Sequence, residues 1–133
     1  MTLVLDTSAL VKRYILEEGR ELVLDRMEHD PDWAGSALCF VEARIAFCRH
    51  APDVHAEQRL AESLLHDWEE FDVVPVDDAC LARAVDIGCE QQVRTLDAIH
   101  LAAAERLPRP VTFLTFDDRQ AAAARELGLE TRR

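Results

Sequence analysis

Positive charge is scarce in this chain. Fifteen Lys and Arg stand against 26 Asp and Glu, a formal net charge of −11, and Lys12 is the single lysine. Such a balance argues against a nucleic-acid surface built from side-chain cations, because neutralisation by Lys and Arg dominates phosphate binding; its plain reading is a solvated acidic surface. The chain also lacks a CxxC pair. Cys39, Cys48, Cys80 and Cys89 are scattered, without the nearby histidines of a structural zinc site, and read as buried small hydrophobes in a reducing compartment. No apolar run approaches the roughly 18 residues of a membrane span. No basic region precedes the first apolar stretch, which meets Asp6 at once and so argues against a signal peptide. A soluble, cytoplasmic protein without membrane association is expected. Linkers, internal repeats and low-complexity tracts are missing too.

What is present is apolar patterning in alternating periods. With 133 residues of which 49% are hydrophobic, the chain suits one compact domain. Thr2 to Leu5 reads as a strand, followed by a turn and a helix to about Leu16. Helical patterning runs from Glu18 to His29 and stops at Asp30-Pro31; Gly35-Ser36 opens an apolar helix to about Arg49; an amphipathic helix follows from Asp53 to Glu70. Phe71 to Val76 reads as a strand, Asp78 to Glu90 and Asp97 to Leu107 as helices, Val111 to Phe116 as a buried strand, and Asp118 to Leu127 as a helix stopped by Gly128. This alternation predicts a parallel α/β sheet with helices on both faces.

Asp6, Glu42, Asp97 and Asp117 all fall in apolar surroundings. An ionised carboxylate removed from water needs compensation, and no Lys or Arg is placed to pair with all of them, whereas Mg²⁺ or Mn²⁺ takes oxygen ligands by preference. Asp6 and Asp117 each follow a predicted strand, where parallel sheets open their ligand crevice; helix capping is the competing account of both. Glu42 has Leu38, Cys39, Ile45 and Ala46 as helical neighbours, so solvation does not explain it, and an ion pair with Arg44 or Arg13 is the structural alternative. Asp97 lies at or near the first turn of a helix, a capping position, with His100 three residues on to orient the acid. Ser8 and Thr115 stand beside the acids as supporting hydroxyls. Thr7 reads as a cap. Lys12 and Arg13 are either a solvated helix end or RNA phosphate contacts at the mouth of the site.

Four segments carry a family resemblance. Leu5-Asp6-Thr7-Ser8-Ala9-Leu10-Val11-Lys12-Arg13-Tyr14, Val41-Glu42-Ala43-Arg44, Leu96-Asp97-Ala98-Ile99-His100-Leu101-Ala102 and Leu114-Thr115-Phe116-Asp117 resemble, in order, the motifs of PIN-domain ribonucleases, and most of all the toxins of bacterial VapBC toxin–antitoxin pairs. One departure is that Ser36-Ala37-Leu38-Cys39-Phe40 precedes Glu42 where relatives often carry Ser or Thr nearer the acid. The resemblance implies a single PIN domain over residues 1–133, with a three-layer α/β/α sandwich around a central parallel sheet. It implies Mg²⁺ or Mn²⁺ held by Asp6, Glu42, Asp97 and Asp117, and endonucleolytic hydrolysis of single-stranded RNA to 5′-phosphate and 3′-hydroxyl ends. It further implies a homodimer inhibited by a VapB-like antitoxin, with the helices before Pro31 and after Ser36 as groove walls. A receiver-type signalling domain would need a lysine after a late strand, which is missing, and a haloacid-dehalogenase-type phosphatase would need Asp where Ser8 stands. The alternative left open is a non-catalytic PIN-fold binding or regulatory protein.

Overall fold

A computed structural model describes residues 1–132. Five strands form one all-parallel sheet in the order β3-β2-β1-β4-β5: β1 (Thr2–Leu5), β2 (Asp32–Ser36), β3 (Phe71–Val74), β4 (Val111–Leu114) and β5 (Glu130–Arg132). Helices α1 (Thr7–Leu10, continued by a 3₁₀ turn, Val11–Arg13), α2 (Arg20–His29), α3 (Leu38–His50), α4 (Val54–Trp68), α5 (Asp78–Gln91), α6 (Thr95–Glu105) and α7 (Asp118–Glu126) connect them. Among these described residues no helix is long and apolar enough to cross a membrane.

Strand residues alternate between two cores because successive side chains point to opposite faces. Leu3, Leu5, Phe71 and Leu114 pack with Leu10, Val23, Met27, Phe47 and Leu64 on the face of α1 to α4. Val4, Ala34, Val74 and Phe113 pack with Ile87, Leu101 and the alanines of α6 and α7 on the other. The three-layer α/β/α sandwich expected from the sequence is the observed fold.

The order of strands decides where the site lies. From β1 the chain builds outward through β2 to β3, then returns to the opposite side of β1 for β4 and β5. The reversal falls at the carboxyl ends of β1 and β4, where open parallel sheets bind ligands. Asp6 continues that edge through its amide, which donates to the Leu114 carbonyl at 3.2 Å.

The structure corrects several local expectations. Asp32–Ser36 is an inner strand, and Ser36 ends it rather than opening a helix; the following helix starts at Leu38. Asp-Trp-Ala-Gly-Ser has little strand preference of its own, and its conformation comes from ladders with β1 on one side and β3 on the other. β5, three residues at the sheet edge, was also unforeseen. Helix α2 begins at Arg20 instead of Glu18 because Gly19 turns the backbone left-handed at φ 94°. A Cβ at Gly19 would lie 2.6 Å from the Phe116 ring, so the position requires glycine twice over. Cys39 and Cys80 are buried as expected, whereas Cys48 and Cys89 are exposed; all four are free.

Candidate active site

Asp6 sits where β1 gives way to α1. It caps the helix, its Oδ1 accepting from the Ala9 amide at 2.9 Å. Ser8 Oγ donates to the same oxygen at 2.7 Å, and Thr115 Oγ1 to Oδ2 at 2.5 Å. These hydroxyls also order the opposite loop: Ser8 Oγ accepts from the Phe116 amide at 3.0 Å and Thr115 Oγ1 from the Asp117 amide at 3.1 Å. Asp6 is only 3% exposed, and among the described residues no Lys or Arg pairs with it. Burial therefore pushes its carboxyl above the usual range, opposed by the hydrogen bonds from Thr115, Ser8 and Ala9.

Glu42 reaches the same edge from α3. Its Oε1 takes a bond from Thr7 Oγ1 at 2.6 Å and lies 2.6 Å from His100 Nε2, leaving Oε2 free of protein partners among the described residues. The imidazole is buried, with Nδ1 2.9 Å from Ser36 Oγ and 3.6 Å from Cys39 Sγ. Burial works against the imidazolium, but contacts to Cys39 and Glu42 outweigh it and raise His100 to about 10. Half-burial likewise opposes ionisation of Glu42, and the bonds from His100 and Thr7 overcome it, holding the carboxyl below its ordinary value.

The ion-pair partner of Glu42 is thus His100 and neither arginine weighed from the sequence. Arg44 lies over the Phe40 ring, while Arg13 pairs with Asp67 at 2.8 Å and stacks on Trp33. Thr7 does not cap, that position belonging to Asp6; its hydroxyl grips Glu42 instead. Its side chain and that of Ser36, which holds His100, supply the polarity that the residues just before Glu42 lack.

Asp97 and Asp117 lie nearer solvent. Asp97 occupies the first turn of α6, where a carboxylate suits the helix macrodipole. It does not cap: the cap position is Arg94, whose Nε donates to Asp97 Oδ2 at 3.2 Å. Asp117 does cap, its Oδ1 accepting from the Arg119 and Gln120 amides at 2.9 and 3.1 Å. Its Oδ2 accepts from Arg94 Nη2 at 3.1 Å. One guanidinium therefore bridges two of the four acids. The buried Gln120 ties the two helices, its Nε2 3.3 Å from the Asp97 carbonyl. Neither Arg94 nor Gln120 carries a sequence signal beyond its nearness to an acid in the chain.

Lys12 stands at the rim, with Nζ 3.0 Å from Glu17 and 4.7 Å from the centroid of Phe116, next to Asp117. Arg13 faces a cleft of about 580 Å³ lined by Tyr14, Arg20, Leu24, Leu60, His66 and Asp67. Among the described residues no three His, Cys, Asp or Glu side chains converge to hold a metal as they stand. The donor set still suits a hard divalent cation: its ligating groups are carboxylates backed by hydroxyls, and Arg94 already provides positive charge between two of them.

Comparison with known proteins bears on this edge. The PIN domain family matches residues 3–126. Ribonuclease VapC47 of Mycobacterium tuberculosis is 35% identical over 132 residues, covering 96% of this chain and 93% of that protein. In fold, FitAcB from Neisseria gonorrhoeae is similar with a TM-score of 0.78 at 17% identity over 98% of this chain and 96% of that one. VapBC-5 of Mycobacterium tuberculosis, a member of the VapBC family of toxin–antitoxin systems, gives 0.67 at 21% identity over 99% and 98%.

Proposed function

The chain belongs to the PIN domain family, and on that premise we propose that it is a metal-dependent endoribonuclease acting on single-stranded RNA, the toxin of a VapBC-type toxin–antitoxin pair. The observation carrying this reading is Asp6, a carboxylate buried at the topological reversal of the sheet with neutral hydrogen bonds but no Lys or Arg partner. Such a group has only the nearby His100 imidazolium to set against its desolvation.

Asp6, Glu42, Asp97 and Asp117 are the residues that would hold Mg²⁺ or Mn²⁺. The bound cation would supply Lewis acidity, activating water for attack and neutralising charge that develops on the phosphodiester. The protein's part is orientation. Thr7 and His100 keep Glu42 ionised and occupy one oxygen, leaving the other without a protein partner among the described residues. Ser8 and Thr115 fix both oxygens of Asp6. Lys12 and Arg13 are proposed RNA contacts, Lys12 from the rim and Arg13 from the cleft beyond it.

For partners, we propose a homodimer and a VapB-like antitoxin. Exposed Leu81 and Val85, flanking an apolar hollow of about 440 Å³ between α5 and α6, support self-association. The cleft lined from α2 and α4 supports an antitoxin groove there, in addition to the walls of α2 and α3 expected from the sequence. The competing reading is a non-catalytic PIN-fold binding or regulatory protein. Cleavage of single-stranded RNA by the purified chain decides between them. The proposal requires activity with Mg²⁺ or Mn²⁺, none in EDTA, and near-complete loss in folded Asp6→Asn and Asp97→Asn. Equal cleavage in chelator and in metal would end it.

A further inference from the structure

Arg94 is the arginine in contact with the outer pair of acids, and its geometry has two sides. Its Nε and Nη2 hold Asp97 and Asp117 at 3.2 and 3.1 Å, yet the side chain remains 77% exposed. Ion pairs so open to water are weak and readily exchanged. The carboxylates it bridges belong to a group that does not converge on a metal in this conformation. Its backbone caps α6 three residues before Asp97, so a released guanidinium stays tethered at the site. The other cation at this rim, Lys12, is occupied by Glu17 and Phe116.

We infer that Arg94 is a tethered counter-ion with two positions: it neutralises Asp97 and Asp117 when no metal is bound, is displaced by the divalent cation, and then contacts a phosphate of the substrate. This inference rests on the ribonuclease reading. A planar guanidinium suits both partners, carboxylate in one position and phosphate oxygens in the other. Exchange of partners keeps the guanidinium itself paired in both positions, which matters in a chain with so few cations.

The test measures Mn²⁺ binding by electron paramagnetic resonance and titration calorimetry, separately from cleavage. Arg94→Ala should bind Mn²⁺ roughly three- to tenfold more tightly than the unaltered chain, as expected when a weak competing cation is removed. Arg94→Lys should fall between, and Arg106→Gln, which removes an equal charge from the exposed pair with Asp77, should leave binding unchanged. In steady-state cleavage Arg94→Ala should raise KM for RNA about tenfold with kcat altered less than about twofold. Equal Mn²⁺ affinity in Arg94→Ala and the unaltered chain, or tightening as large in Arg106→Gln, would overturn the displacement. An unchanged KM would overturn the phosphate contact. Failure of the unaltered chain to bind Mn²⁺ would remove the ribonuclease reading and this inference with it.

Discussion

Glu42 and His100 meet at 2.6 Å although their helices belong to opposite layers of the sandwich. The bond passes over the carboxyl edge of the sheet and pairs a half-buried carboxylate with a buried imidazole. It joins the two layers at the site, and it gives the fold a titratable element.

The pH dependence follows from the directions of the shifts. His100 is raised from its ordinary 6.5 to about 10, so its contribution to stability is complete below about 6.5 and is lost as pH rises through about 10. Glu42 is lowered from 4.5, so its contribution is present above that value and fades on acidification. In chelator, the midpoint of urea unfolding should fall between pH 7 and pH 10. His100→Gln should flatten this limb. A midpoint equally steep in the variant would assign the loss to other groups.

Asp6 has the opposite sign. Its carboxyl is raised by burial, so its charge costs stability at neutral pH in the absence of a cation. Asp6→Asn should melt at or above the unaltered protein in EDTA. It should also lose the rise in melting temperature that Mn²⁺ produces by mass action. Differential scanning calorimetry with and without metal reads both effects, and a variant that melts well below the unaltered chain would contradict the cost assigned to the charge.

Thr7→Val keeps side-chain shape but removes the donor to Glu42. The expected result is a fall of about tenfold in single-turnover cleavage with an unchanged circular dichroism spectrum, the usual scale for loss of a group that orients a ligand. Undiminished cleavage would mean that His100 alone suffices to aim the acid.

Gly19→Ala should destabilise by about 1–2 kcal/mol, from a left-handed backbone and a clash with the Phe116 ring. Phe116→Leu should recover the steric part but not the backbone part. A double-mutant cycle in denaturant measures that coupling, and additive effects would place the whole cost in the backbone.

The four candidate acids stand out in the sequence because each interrupts an apolar pattern, although the helical face that singles out Glu42 is only partly inside: Cys39 is buried, Leu38 and Ala46 are half-buried and Ile45 is 46% exposed. β1 and β4 were legible as short apolar runs. β2 was not, because Asp32 to Ser36 owes its extended form to the strands beside it and not to its own side chains. Thr7 and Ser36 escaped for a related reason: their partners lie 35 and 64 residues away along the chain, beyond any periodicity; Arg94 has Asp97 three residues on, but its second partner Asp117 lies 23 residues away. The exposed Cys48 and Cys89 show that a residue's usual burial says little about which side of a helix it occupies.

The reversal of strand order at β1 has a consequence for synthesis. Asp6 leaves the ribosome before β2 and β3, but the strand that completes its surroundings is β4, and Thr115 and Asp117 follow that strand. A nascent chain that has yet to release β4 can close half of the sheet and both of the first two acids without assembling the candidate site. Release of β4 is thus the step at which Thr115 can close on Asp6 and Asp117 can meet Arg94, an order set by topology alone.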